Sequence, residues 1–430
     1  MVDIQYSITI MGGREVSRPY QVWFFAEGER FFMFLFQSPS IFPLNRILIC
    51  VFFLILWDKL ELMMKIRYFL CALLVIVLAS CGGGEAKKVE SAEKKQAQLL
   101  TMEQCDGYVK ATIQDPWNDG KVLHTYILVP RDSAMPKQFP EGTVVRTPIQ
   151  NALVYSEVHA SLMRELGGFG AVKGVCDANY YTDAQVLSGV KTGTIADCGN
   201  SMSPTIERVI AMKPDAILLS PYQDASYGQI EKMNIPIIEC ADYLEYTPLG
   251  RAEWVKFYGA LLGKSAQADS LYEAVAGRYR AIAEKAATAK SKPTVITEMV
   301  ISGVWAVPGG NSYMAKIIAD AGGDYPWASD KSTGSLSLDF NQVLAKAQKA
   351  DFWFVKWTGI NSLADLQSQY DLNKSFEAFK QKKVWACDTE KSHFFVRVPF
   401  HPDLLLSEFA AVLHPELFPD VKTEFYYNLK

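Results

Sequence analysis

One helix-then-strand unit occurs twice in this chain, and that recurrence limits the folds open to it more than any other feature. Ile206-Glu207-Arg208-Val209-Ile210-Ala211 leads through Pro214-Asp215 into the apolar run 216–219. Phe340-Asn341-Gln342-Val343-Leu344-Ala345 leads through Ala350-Asp351 into 352–355. The offset is 134 residues at the helix (206 to 340) and 136 at the strand (216 to 352), a slip of two residues in one turn. Two copies of an α/β unit so far apart predict two similar lobes, each with its own sheet.

The alternation continues around each copy. In the first half the pattern predicts strands over 151–155, 171–176, 216–219 and 236–239, with helices over 160–166 and 206–212. In the second it predicts strands over 294–300, 352–355 and 384–387, with helices over 313–321, 340–347 and 404–413. Strands alternating with helices form parallel sheets. Ahead of them, residues 99–139 read as short β segments between Gly and Pro turns. Between the halves, Trp254, Phe257, Tyr258 and Leu261, then Leu271, Val275, Tyr279 and Ile282, recur at helical spacing and predict helices over 251–262 and 266–289. At 1.5 Å per residue the second, about 24 residues long, reaches ~36 Å and acts as a stiff strut. The expected organisation is a lobe over 99–250, linking helices over 251–290 and a lobe over 291–430. A ligand cleft lies between the lobes, where open α/β sheets bind at the carboxyl ends of their strands.

Composition places the chain among globular proteins. Of 430 residues 49% are hydrophobic and 21% charged, and the formal charge of −4 gives nucleic acid no reason to bind. Twenty-four Phe, 20 Tyr and 9 Trp make an aromatic-rich chain, and aromatics beyond what a core needs commonly line pockets for bulky ligands. Five cysteines beyond residue 81 (Cys105, Cys176, Cys198, Cys240 and Cys387) lack the close spacing of a zinc or redox site and read as buried free thiols, with a Cys176–Cys198 disulfide left open.

The amino-terminal region carries two apolar runs, 47–57 and 69–79, each 11 residues and short of the ~20 that cross a bilayer as a helix. The second follows Met64, Lys65 and Arg67 and precedes Leu78-Ala79-Ser80-Cys81-Gly82, which resembles a bacterial lipoprotein signal. The resemblance implies a signal peptide over 64–80, a diacylglyceryl group on Cys81, and export to a periplasm-facing membrane anchor. Translation is expected to begin at Met63 or Met64, with residues 1–63 a gene-start error. Residues 81–98, rich in Gly, Lys, Glu, Ala and Gln, read as a solvated tether.

Several segments in order resemble the substrate-binding lipoproteins of ABC importers whose lobes are joined by one long helix. They are Leu162-Met163-Arg164-Glu165-Leu166-Gly167, Val172-Lys173-Gly174-Val175, Lys213-Pro214-Asp215-Ala216-Ile217-Leu218, Asn234-Ile235-Pro236-Ile237-Ile238 and Ile317-Ile318-Ala319-Asp320-Ala321-Gly322-Gly323. The resemblance runs from about 151 to 418. It implies an α/β class III periplasmic binding protein: two similar lobes, one backbone helix and a ligand cleft between. It further implies capture of an iron complex (siderophore or haem) or cobalamin, without catalytic residues, cofactor or bound metal, and delivery by a monomer to a permease and its ATPase. In this family a glutamate on each lobe seats in permease arginines. Glu207 falls on the first position, and Asn341, with Asp339 nearby, on the second. Glu207 is also what a first helical turn favours through its dipole.

Cleft residues follow from strand ends: Ser156, Glu157, His159, Tyr180, Tyr181 and Tyr222 on the first lobe, then Trp305, Asn311, Tyr313, Trp357, Phe394, Phe395 and Arg397 on the second. Arg397, Lys356 and Lys191 would favour an anionic ligand. His159 could serve as a metal ligand but reads better as a polar structural group. Ser91-Ala92-Glu93-Lys94 and Lys191-Thr192-Gly193 match motifs of penicillin-recognising enzymes, but a serine in a tether lacks the packed shell catalysis needs. The other readings are a binder of a free transition metal ion and a ligand-sensing surface receptor on the same fold.

Overall fold

The computed structural model describes residues 22–27, 30–35 and 95–430. Val22–Glu27 and Arg30–Leu35 pair as an antiparallel hairpin in a unit of its own. The signal peptide over 64–80, Cys81 and the tether up to residue 94 lie outside the described residues. Among the described residues no helix is long and apolar enough to cross a membrane.

The body opens with a four-stranded sheet in the order Leu100–Cys105, Tyr108–Gln114, Val122–Pro130 and Thr143–Thr147, antiparallel except for the last pair. The tether expected to run to Gln98 has joined the body by Gln96. The N–H groups of Gln96 and Ala97 donate to Glu253 Oε2 (2.7 and 2.6 Å), and those of Gln98 and Leu99 to the Glu245 carboxylate (3.0 and 2.9 Å). Two carboxylates on the linking segment thus satisfy four backbone donors, which composition cannot reveal.

The first lobe's sheet is wholly parallel, in the order Ile237–Glu239, Ala216–Leu219, Ala152–Val154, Val172–Val175, Ala196–Asp197. Ala152–Val154 and Ala216–Leu219 are buried throughout, as strands covered on both faces must be. In the second lobe Val295–Thr297, Phe352–Lys356 and Val384–Cys387 run parallel and Tyr427–Asn428 closes the edge antiparallel. The recurring unit is present in both lobes, as Ile206–Met212 before Ala216–Leu219 and as Phe340–Ala347 before Phe352–Lys356.

The strand expected over 294–300 breaks at Glu298, whose φ of 63° is left-handed. Its N–H donates to Phe354 O (2.9 Å) and its carbonyl accepts from Trp353 Nε1 (2.7 Å), bonds that hold a backbone shape most side chains avoid. Beyond the break lies a small antiparallel sheet of Val300–Ile301, Val304–Pro308 and Ser335–Leu338.

Pro248–Glu253, Val255–Leu262 and Ser265–Ala286 connect the lobes. The first begins three residues earlier than its spacing suggested, because Thr247 Oγ1 accepts from Gly250 N (3.0 Å) and Pro248 suits a first helical position. The long helix has 22 residues, about 33 Å. Its Ala268 packs where a Cβ on Gly259 would come within 2.4 Å, so the preceding helix can approach only through glycine. Towards the second lobe, Arg278 Nε meets Asp403 Oδ2 at 2.6 Å and Tyr279 donates to Asp320 Oδ2 at 2.6 Å. Each lobe keeps its own core, around Tyr126, Phe257 and Tyr258 in the first and Trp305, Trp353 and Phe409 in the second. Phe400 returns from the carboxyl-terminal segment into the first core, so the chain recrosses the 250/291 boundaries.

All five described cysteines are free, which resolves the Cys176–Cys198 alternative, and four are buried. Burial pushes the thiols of Cys198 and Cys387 up to about 11 and holds those of Cys176 and Cys240 well above the ordinary range. Since the thiolate is the reactive form, Cys105 should be the one of these five that reacts promptly with a disulfide reagent at pH 8 in the native protein. Prompt reaction of any of the other four would contradict the packing.

Candidate ligand cleft

Between the lobes lies a cavity of about 800 Å³, within the range of small-molecule sites. One wall comes from the first lobe and the linker: Tyr243, Leu244, Glu245 and Tyr246 after Ile237–Glu239, and Arg251 from Pro248–Glu253. The other comes from the second lobe: Met299 just before the small sheet, Ile301, Val304 and Ala306 within it, Tyr313 and Met314 from the helix Tyr313–Asp320, and Phe394, Phe395 and Val398 from the short helix Phe394–Arg397 and its C-cap. Pro116 and Trp117, in the loop between Tyr108–Gln114 and Val122–Pro130 of the opening sheet, also line the cavity.

Each charged side chain that faces this space has a protein partner. Lys356 Nζ lies 2.6 Å from Glu298 Oε1, and Arg251 Nη2 lies 3.1 Å from the buried Asp242 Oδ2. Glu245 accepts from Trp254 Nε1 (2.9 Å) as well as from Gln98 and Leu99, and burial outweighs these bonds to raise its carboxyl above the usual range. Of the three cations expected to favour an anionic ligand, Lys356 is the one that lines the cavity: Arg397 binds Glu424 (2.7 Å) over the Phe425 ring, and Lys191 is an exposed residue in the last turn of Ala184–Thr192.

Of the expected cleft residues, Tyr313, Phe394 and Phe395 line the cavity. Tyr313 brings a buried hydroxyl with no partner among the described residues. Three expectations give way to the fold's own needs. His159 is buried, its Nε2 donating to Asp242 Oδ1 (3.0 Å); Asp242 also holds Tyr258 and Arg251. Tyr181 is buried and donates to Val154 O (3.0 Å). Trp305 is fully buried against Trp353, donating to Thr297 O (2.9 Å).

The rest lie elsewhere. Ser156 is a half-buried N-cap without a capping bond, and Glu157 accepts from Thr182 and Asp183 N–H groups (2.9 and 2.7 Å), so it shapes a loop. Tyr180 is 83% exposed, Tyr222 donates to Ser226 O (3.1 Å), and Trp357 is exposed; none lines the cavity. Asn311 lines a separate cavity of about 500 Å³ and donates to Lys331 O (3.0 Å). Sequence reasoning missed Trp117, Tyr243, Tyr246, Glu298 and Arg251. The loop after 236–239 was a strand end like the others and would have supplied Tyr243 and Tyr246.

Glu207 is exposed in the first turn of Ile206–Met212. Asp339 instead caps Phe340–Ala347, accepting from Gln342 N (3.0 Å) while Gln342 Oε1 accepts from Asp339 N (2.9 Å), and Asn341 is exposed beside it.

Two α/β lobes on one long helix, with a cavity between them, define a two-lobed solute-binding fold of the helical-backbone class. A family profile described as "Periplasmic binding protein" matches residues 155–390, more than half of the chain. The chain belongs to the periplasmic binding protein family, whose members bind substrates and are not enzymes. It is 28% identical over 302 residues to an uncharacterized lipoprotein of Methanocaldococcus jannaschii, an alignment covering 67% of this chain and 71% of that one. A second uncharacterized lipoprotein of that organism is 26% identical over 249 residues, covering 55% and 62%. Among solved structures, a periplasmic haem-binding protein from Pseudomonas aeruginosa superposes with a TM-score of 0.50 at 16% identity, covering 66% of this chain and 98% of its own.

Proposed function

We propose that the chain is the lipid-anchored substrate-binding component of an ABC importer, and that it captures an iron complex (siderophore or haem) or cobalamin for delivery to a membrane permease. The observation that carries this is the inter-lobe cavity, with rings on both walls and paired charges. Broad apolar contact with few polar anchors suits a large complex, since affinity there comes mostly from buried apolar area. The Pseudomonas aeruginosa neighbour is a haem-binding protein, and the Methanocaldococcus relative is called a lipoprotein, in line with a lipid on Cys81.

A thermal-shift panel of haemin, a ferric tris-catecholate, a ferric hydroxamate, cyanocobalamin and bare Fe(III), Zn(II) and Mn(II) tests the ligand class. A complex present at a hundred times its Kd stabilises by about 2.7 kcal/mol. One complex is expected to raise Tm by several degrees. A shift with a bare ion alone would favour the free-metal reading, and no shift with any complex would remove this one.

Delivery is assigned to the lobe surfaces. Glu207 is the docking carboxylate of the first lobe, and Asn341, or Asp339 beside it, makes the second contact. Charge pairs across such interfaces fix register. Glu207→Arg should lower uptake in the host at least tenfold while ligand affinity in solution stays the same. Wild-type uptake in that variant would remove Glu207 from the docking surface.

A further inference from the structure

The opening four-stranded sheet precedes the stretch matched by the family profile, 155–390, yet one of its loops reaches the cleft. The pairing register between Tyr108–Gln114 and Val122–Pro130 shifts at Ile113/Gln114, a bulge that re-aims the strand end. From there the chain turns on Asp115. Its Oδ1 accepts from the N–H groups of Trp117 (2.8 Å) and Asn118 (3.0 Å), and its Oδ2 from Asn118 Nδ2 (2.9 Å). Asp115 N donates to Lys121 O (2.9 Å) and Lys121 N to Asn118 O (3.1 Å), closing the loop. At its root Gln114 N donates to Leu99 O (2.7 Å), and Leu99 N donates to Glu245 on the cleft wall (2.9 Å). The loop is therefore tied to the cavity it borders.

Its tryptophan is treated differently from the others. The indole N–H groups of Trp254, Trp305 and Trp353 have acceptors in Glu245, Thr297 and Glu298. Among the described residues, no ring or cation packs on Trp117 and no protein acceptor takes its indole N–H. A rigid loop thus holds a half-buried ring and a free donor at the cleft.

We propose that Trp117 is a ligand-stacking and specificity-determining residue of the cleft. Its face packs on a flat, conjugated guest, and its indole N–H anchors an acceptor on the guest's rim. The inference rests on the ligand class proposed above.

Titration of the wild type, Trp117→Ala and Trp117→Phe with haemin, cyanocobalamin and a ferric tris-catecholate tests it. For the probe that binds, Trp117→Ala should weaken affinity about tenfold or more, and Trp117→Phe should recover most of that by keeping the ring face. Both variants should melt close to the wild type, because the substitution lies in a loop outside the cores. Wild-type affinity in Trp117→Ala overturns this inference and leaves the ligand class standing. Equal losses in Ala and Phe overturn the stacking role. Binding of none of the three probes to the wild type overturns the proposed ligand class, and this inference falls with it.

Discussion

Asp242→Ala is expected to destabilise the protein by about 3–5 kcal/mol, the cost of stripping one partner from a buried charge network. Asp242 is fully buried in the short turn Ala241–Leu244, which follows the strand Ile237–Glu239. Its Oδ1 accepts from His159 Nε2 and Tyr258 OH, both at 3.0 Å, and its Oδ2 from Arg251 Nε (3.2 Å) and Nη2 (3.1 Å). One carboxylate thus joins Glu157–Glu165, the linking helices and the cleft wall. Its removal leaves three buried or half-buried donors without an acceptor, the costly side of the hydrogen-bond asymmetry. Urea denaturation reads the loss directly, and a change below about 1 kcal/mol would show that the network is not what holds these elements.

The same carboxylate predicts a pH dependence. Burial raises Asp242, but the His159 hydrogen bond, with the charges of His159 and Arg251, outweighs burial and holds it below the usual range. A lowered folded-state value means its stabilisation is complete above the unfolded value of about 3.9 and is lost as pH falls through the lowered one. Stability should therefore fall more steeply below pH ~4 in the wild type than in Asp242→Asn.

Trp305→Ala is expected to cost a comparable 3–5 kcal/mol, about the range for deleting a buried Trp. Its ring centroid lies 5.5 Å from those of Trp353 and Phe376 and 6.2 Å from Phe340, in the middle of the second lobe's core. Trp305→Phe keeps most of that area, loses the bond to Thr297, and should recover more than half of the stability. Because this ring faces the core, Trp305→Phe should bind ligand as the wild type does. Weakened binding in a stable Trp305→Phe would return Trp305 to the cleft.

Trp305 also shows where sequence stopped being sufficient. Along Val304–Pro308 exposed and buried residues alternate, so Val304 and Ala306 face the cavity while Trp305 and Val307 face the core. Spacing placed an aromatic near the right strand, but only the register decides its face, and that register is seen in the pairing of Val304–Pro308 with Val300–Ile301 and Ser335–Leu338. The parallel strands were legible as short continuous apolar runs such as Ala216–Leu219, and the linking helices because their apolar spacing is long and periodic, as in Ser265–Ala286. Tyr313 and Phe394 were legible from strand ends. The run Asp115-Pro116-Trp117-Asn118-Asp119-Gly120 was legible as a turn, yet what it faces depends on a linker more than 120 residues away in the chain. His159 sat at the correct end of its strand and was drawn inward by Asp242, a partner 83 residues on.

Filling the cavity tests the account most directly. Ala306 lines it and is exposed, so Ala306→Trp should place an indole inside the space while leaving both cores untouched. The measurement is the calorimetric Kd of the complex that stabilises the wild type, compared between wild type and Ala306→Trp. The account predicts at least a hundredfold weaker binding at an unchanged Tm; wild-type affinity in the filled variant would contradict it.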